Sequence, residues 1–286
     1  MRVAVNKLLT TCFAAYVLLL VYLMLTVCEH TPCPRCSHTG MHNVTFFSLV
    51  SSNSSFYYMQ TLLLLRSFRQ FVPGTLLHLL VTDDVDPAIV RQLGDLAVTH
   101  VVSSYPGEPT RPHPNDTHIS KLHASWVHQL SKVKLWSMNM SDVVCYLDSD
   151  VVFFGPSALQ GVVSECLDGF RGSDSIEWCG FDNEDPNGND THWEMNTIQA
   201  NFFCLRPGTS LFAKMERKLV YPFTHGQLLY KGKYVATEQD MLNLFFNGKI
   251  HYVKKKRLDG GKFHHSDWNF MRWVFWDLGL RSLTGC

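Results

Sequence analysis

Apolar runs of strand length alternate with stretches of helix length through the first half of the chain, and few architectures accept that pattern. Val44-Thr45-Phe46-Phe47-Ser48-Leu49-Val50 reads as a buried strand that ends in the polar loop Ser51-Ser52-Asn53-Ser54-Ser55. A helix is expected from Phe56 to Phe71, stopped by Pro73-Gly74. The strand Leu76-Leu77-His78-Leu79-Leu80-Val81 comes next, then a helix opened by Asp86-Pro87 and running to about Leu96, then a strand from Val98 to Val102. The Pro-rich stretch from Ser104 to Thr117 has no clear period. A helix from about Leu122 to Met138 leads into the strand Val143-Val144-Cys145-Tyr146-Leu147. Strands joined by helix-length connections predict an α/β fold, a single mostly parallel sheet flanked by helices. Ligands of such sheets bind beyond the carboxyl ends of the strands. The residues after Leu147 are therefore the first place to look.

Those residues are Asp148-Ser149-Asp150, followed by Val151-Val152-Phe153-Phe154. If the strand continues, both carboxylates project to one face; if the chain turns, they can still converge on one cation. Carboxylates this close repel one another unless a cation lies between them. Mn²⁺ or Mg²⁺ suits hard oxygen ligands, and such an ion offsets the charge of a diphosphate leaving group. The bland alternative is a solvated acidic turn, which the apolar residues on both sides argue against.

Upstream, no charged residue occurs from Leu8 to Cys28, long enough for one bilayer crossing. Arg2 and Lys7 precede this run and Glu29 follows it, which places the N-terminus in the cytosol. The expected organisation is a cytosolic tail (1–7), a transmembrane anchor (8–28), a stem (29–42) and a lumenal domain (43–286). A cleaved signal peptide is the rival reading. Sequons at Asn43, Asn53, Asn115, Asn139 and Asn189 agree with a lumenal domain. Of nine cysteines, those beyond Cys12 and Cys28 are able to pair in an oxidising lumen. Cys33-Pro34-Arg35-Cys36 has no second Cys/His pair at zinc spacing, which favours a stem disulfide or free thiols. Lys+Arg and Asp+Glu both total 25, and a chain of zero net charge is a poor nucleic-acid binder. The short run Lys254-Lys255-Lys256-Arg257 reads as a solvated turn.

Around the acidic pair, further segments fall in a familiar order. Phe47-Ser48-Leu49-Val50-Ser51 is followed by Tyr57 and Tyr58. Leu130-Ser131-Lys132-Val133-Lys134-Leu135-Trp136 precedes Asp148-Ser149-Asp150. Gln199-Ala200-Asn201-Phe202-Phe203-Cys204-Leu205-Arg206-Pro207 and Thr237-Glu238-Gln239-Asp240-Met241-Leu242-Asn243 come after it. From about Val44 to Asn269 the chain resembles the glycogenin-like family 8 glycosyltransferases, which have the A-type nucleotide-sugar transferase fold. The resemblance implies that Asp148 and Asp150 bind Mn²⁺ or Mg²⁺. It assigns Leu49, Ser51, Tyr57, Lys132, Asp148, Ser149, Gln199 and Gln239 to donor binding. Glu238 and Gln199 are the residues it sets at the reacting sugar. The implied reaction moves a sugar from a UDP-sugar to a glycan or glycoprotein acceptor, with retention, at the Golgi or ER membrane.

The chain also departs from that family. Its terminal H-x-x-G-x-x-K-P-W motif is absent, with only His264-His265 nearby. Gln199 stands for Asn, Asn201 for Gly and Glu238 for Asp. Either the metal site is completed otherwise or the protein is a catalytically silent nucleotide- or glycan-binding relative. Tyr146 to Val152 also fits the phosphohydrolase pattern of the haloacid-dehalogenase type, with Asp148 as nucleophile and Asp150 as acid. That family carries the motif on its first strand, whereas a long folded stretch precedes it here.

Overall fold

The computed structural model describes residues 43–51, 53, 55–105, 127–149, 151, 153, 157–182, 198–224, 228–230, 233–235 and 237–253. The expected anchor and stem lie outside the described residues. Among the described residues no helix is long and apolar enough to cross a membrane.

The alternation read from the sequence is present. Strand β1 (Val44–Val50) leads to helix α1 (Ser55–Phe71), β2 (Leu77–Thr82), α2 (Pro87–Gly94) and β3 (Val98–Val102). Asp86 caps α2 by accepting from Ala88 N, and Pro87 fills the first helical position, where a missing N–H does no harm. Asn53 ties down the same corner: Asp86 N donates to Asn53 Oδ1 at 2.6 Å, and Asn53 Nδ2 donates to Asp84 O. That sequon asparagine already serves as a loop brace. Asn139, by contrast, is exposed in a turn.

Two features depart from expectation. The helix expected from Leu122 to Met138 is a 3₁₀ segment over Val127–Ser137, and residues 122–126 lie outside the described ones. Three residues per turn align positions i and i+3, which puts Leu130, Val133 and Trp136 in one fully buried row. The second departure is one antiparallel strand in a sheet that is, as expected, mostly parallel. After β4 (Val143–Leu147) come α3 (Ser157–Gly172), β5 (Trp178–Asp182) and β6 (Ile198–Leu205), and the seven strands run β3-β2-β1-β4-β6-β5-β9, where β9 is Ile250–Val253. β6 is antiparallel to both β4 and β5, while the other pairs are parallel. Antiparallel neighbours need no crossover helix, so counting strand–helix alternations does not reveal them. β7 (Leu229–Tyr230) and β8 (Lys233–Tyr234) form a separate two-stranded antiparallel sheet.

Both faces of the sheet are covered. On one, Phe46, Leu79, Cys145 and Phe202 pack with Leu64, Phe68, Leu159 and Val163 of α1 and α3. On the other, Phe47, Tyr146, Trp178 and Phe203 pack with Leu130 and Trp136 of the 3₁₀ segment. Helix α4 (Thr209–Met215), a π-helical turn (Glu216–Val220), α5 (Tyr221–Thr224) and α6 (Glu238–Phe245) complete that layer. Trp136 stacks on Phe246 at 5.2 Å between centroids and on Phe203 at 5.9 Å.

Disulfides join Cys145 to Cys204 and Cys166 to Cys179. The first clips β4 directly to β6, whose residues at these positions are opposite in register. The second clips α3 to β5. Gly180 of β5 lies where the β5–β6 register shifts. A Cβ there would meet Ile198 Cγ2 at 2.6 Å and Phe202 O at 2.9 Å. Gly180→Ala is expected to lower stability by about 1–3 kcal/mol in denaturant unfolding, because the obstacle includes main chain. An unchanged midpoint would show that β6 has room to move.

His78 and His100 stack across β2 and β3 with ring nitrogens 2.9 Å apart. Burial lowers the pKa of both, and for His78 the neighbouring His100 lowers it further. Each folded-state pKa thus lies below its unfolded value of about 6.5, so the unfolded chain binds more protons in mild acid. Their contribution is present above that value and is lost as pH falls through the folded pKa. Thermal melts are expected to shift downward between pH 7.5 and pH 5, with a shallower shift in His78→Gln/His100→Gln. Equal slopes in the two proteins would count against it.

Candidate active site

The carboxyl ends of the parallel strands β1, β2 and β4 share one edge of the sheet, and Asp148 follows β4 there. The chain turns immediately: Val151 N donates to Asp148 O at 3.1 Å, which closes a turn that contains Ser149. Of the two geometries the sequence left open, the turn is the one formed. Asp150 lies outside the described residues.

Asp148 is held on one side only. Tyr146, two residues earlier on the same strand face, donates its hydroxyl to Asp148 Oδ1 at 2.6 Å. Lys132 Nζ lies 3.3 Å from the same oxygen. Asp148 Oδ2 has no hydrogen bond among the described residues, and the side chain is 28% exposed. One oxygen is fixed and the other is open.

Lys132 comes from the 3₁₀ segment and is almost completely buried. Its ammonium lies 3.1 Å from Glu238 Oε1 and 3.4 Å from Ala200 O, in addition to Asp148. The ring of Tyr146 is 4.9 Å below it. Burial alone disfavours the charged ammonium, yet Asp148 and Glu238 outweigh it and raise its pKa above the ordinary lysine range. An ammonium has three protons, and here three protein acceptors face them. A ligand would have to displace one of these to reach it.

Glu238 and Gln239 open helix α6. Thr237 caps that helix by accepting from Asp240 N at 3.1 Å, and an acidic residue suits the first turn. Glu238 is buried, with Oε1 on Lys132 and Oε2 without a partner among the described residues. Gln239 Oε1 accepts from Ala200 N at 2.9 Å. One helical turn on, Asn243 takes both main-chain groups of Ile198: its Oδ1 accepts from Ile198 N and its Nδ2 donates to Ile198 O. The start of β6 is thus pinned by α6 side chains and by Lys132.

The remaining expected residues fall as follows. Ser51 sits at the end of β1, on the same sheet edge as Asp148. Leu49 is a core residue of the second face, so a ligand would meet its main chain. Tyr57 is exposed on α1, and its carbonyl accepts from Thr61 Oγ1. Gln199 lies in β6, with its side chain outside what is described, and His264-His265 are outside the described residues. Lys132, Asp148, Glu238 and Gln239 are brought together around Ala200. Tyr146 and Asn243 were missed. Their signals were present: a tyrosine two residues before the aspartate in an apolar strand, and an amide at i+4 from Gln239 on one helix face.

A divalent ion is tested by the donor set. The space between Asp148 and Glu238 is already occupied by a cation, the Lys132 ammonium. An ion would meet like charge there, so the open Oδ2 of Asp148 is the only oxygen of the described pair suited to it. A carboxylate oxygen of that kind fits Mn²⁺ or Mg²⁺. Among the described residues no group of three His, Cys, Asp or Glu side chains forms a metal cluster.

No protein-family profile matches the chain, and no curated protein matches its sequence. Among solved structures, the chain is similar to the galactosyltransferase LgtC in complex with donor and acceptor sugar analogues, at 15% identity over 73% of this chain and 73% of that one, with TM-score 0.44. It is similar also to the glycosyltransferase GlyE of Streptococcus pneumoniae, at 13% over 75% and 46%, with TM-score 0.43. A third is the Mn/GDP form of core-mannan synthase A from Aspergillus fumigatus, at 8% over 77% and 75%, with TM-score 0.41. Likenesses this distant assign no family. The chain's own strand order and side chains bear on its chemistry.

Proposed function

We propose that the chain is a metal-dependent glycosyltransferase of A-type fold, which moves a sugar from a UDP-sugar donor to a glycan or glycoprotein acceptor. The observation that carries this reading is the half-occupied carboxylate of Asp148 at the carboxyl end of a parallel strand. Asp148 and Asp150 would hold Mn²⁺ or Mg²⁺, which when bound supplies positive charge to the departing diphosphate. Lys132 holds Asp148 and Glu238 in place through its ammonium. Glu238 Oε2 accepts a hydroxyl of the transferred sugar, and Gln199 and Gln239 orient that sugar. Ser51, Ser149, Tyr57 and the main chain at Leu49 border the nucleotide. Retention at the sugar's reacting carbon belongs to the same proposal.

The lumenal address at the Golgi or ER, with residues 8–28 as a type II anchor, is a further part of it. The two disulfides support an oxidising compartment. A silent nucleotide- or glycan-binding relative is the second reading, favoured by Gln199 and Asn201, which stand where the resembled family has Asn and Gly. Sugar release from a panel of UDP-sugars, with Mn²⁺ or with a chelator, separates the two. Metal-dependent release that disappears in Asp148→Asn supports the enzyme. Nucleotide binding without release supports the silent relative, and no binding at all sinks both.

A further inference from the structure

Asn201 stands directly across from Asp148. β4 and β6 pair with Leu147 opposite Phe202, and Asp148 N donates to Asn201 O at 2.8 Å. Opposite residues of an antiparallel pair project to the same face. The Asn201 side chain therefore projects to the same face as Asp148, one residue from the Ala200 carbonyl that faces Lys132.

Most polar groups of this cluster are committed within the protein. Lys132 has three acceptors, Gln239 Oε1 holds Ala200 N, and Asn243 holds Ile198. Besides the partly exposed Asp148 Oδ2, two atoms are not: Asn201 Oδ1 and Glu238 Oε2 are buried with no hydrogen-bond partner among the described residues. Glu238 is only 4% exposed. Leaving such an atom unpaired costs about 1–3 kcal/mol, and an alanine at 201 would avoid that cost without disturbing the strand. A site keeps such atoms when a ligand supplies what they lack. Two buried acceptors that lack a donor call for two hydroxyl groups.

We propose that Asn201 is a specificity-determining residue for the transferred sugar, its amide and Glu238 Oε2 each taking one ring hydroxyl. This rests on the glycosyltransferase reading above. A hydroxyl both donates and accepts, so it satisfies the amide whichever end faces inward. A sugar without that hydroxyl leaves the amide buried and unpaired. Sites built to bond a hydroxyl reject the analogue that lacks it far more strongly than an apolar pocket rejects a missing methylene.

The test uses the full-length chain with Mn²⁺ and calorimetric titration of UDP, UDP-glucose, UDP-galactose and the single-deoxy forms of both sugars. For the better-bound sugar, removal of one particular hydroxyl is expected to weaken wild-type binding about 10–100-fold. In Asn201→Ala that penalty shrinks to within about threefold, penalties at other positions persist, and UDP affinity is unchanged. A merely structural role would shift every ligand alike. UDP-sugar binding with the same deoxy pattern in wild type and Asn201→Ala overturns the proposal and leaves the proposed function standing. Failure of wild type to bind either UDP or any UDP-sugar overturns both. Should Asn201→Ala not fold, Asn201→Val, which suits a strand and likewise lacks the amide, carries the same comparison.

Discussion

Lys132→Met is expected to lower stability by about 3–5 kcal/mol, the cost of breaking a buried ion pair from one side. The ammonium is 2% exposed and is the shared counter-charge of Asp148 and Glu238. Methionine fills a similar volume, so the loss reports charge and not a cavity. It leaves the Glu238 side chain, 5% exposed, as an uncompensated buried carboxylate. Asp148 is partly solvated, which places the figure nearer the lower end. Lys132→Met/Glu238→Met removes both buried charges and is expected to recover most of the loss, since an apolar replacement of a whole pair is often neutral. Urea unfolding of the three proteins gives the comparison. A single variant within about 1 kcal/mol of wild type would mean that water reaches the cluster and screens it.

The same pair has a pH signature. The Lys132 pKa is raised in the folded state, so its stabilisation is fully present below the ordinary lysine value. It is lost only as pH rises through the higher folded value. Across neutral pH the Lys132 contribution is flat, unlike that of the histidine pair on β2 and β3.

Asp148→Asn is expected to reduce metal-dependent sugar release by about 100-fold or more, the usual scale for one group that stabilises developing charge. Asparagine keeps the shape and an oxygen for the Tyr146 hydroxyl, but it offers neither charge to Lys132 nor a carboxylate to a cation. Thermal melts on the same samples separate lost chemistry from lost fold. Tyr146→Phe is the control, because it keeps the charge and removes only the hydroxyl that orients it; its activity is expected to fall far less. Should Asp148→Asn release sugar at the wild-type rate, the aspartate has no part in the chemistry.

The position of Asp148 was legible because strand periodicity is local. An apolar run from Val143 to Leu147, short and rich in β-branched and aromatic residues, reads as an interior strand, and its carboxyl end is where open α/β sheets bind ligands. Lys132 was singled out as a donor contact, and the fold instead shows its ammonium paired with Asp148 and Glu238. That role came from the resemblance alone, and only the packing of the 3₁₀ segment against β4 and α6 turns its ammonium inward. Tyr146 and Asn243 escaped notice because their partners depend on how strand and helix meet. The antiparallel run of β6 was hidden for a related reason: strand direction depends on which edge the chain returns to, and no pattern within Ile198–Leu205 records it.

The sequence by itself determined the alternating elements, the interior strands and the acidic end of β4, since each follows from side-chain periodicity over a few residues. The tertiary structure alone decided that Asn201 faces Asp148, that Gln239 and Asn243 brace β6, and that one oxygen of Asp148 is occupied while the other stays open. These depend on register and on contacts between residues far apart in the chain. Each is set by how well the two packed faces fill, and not by any one segment's own preference.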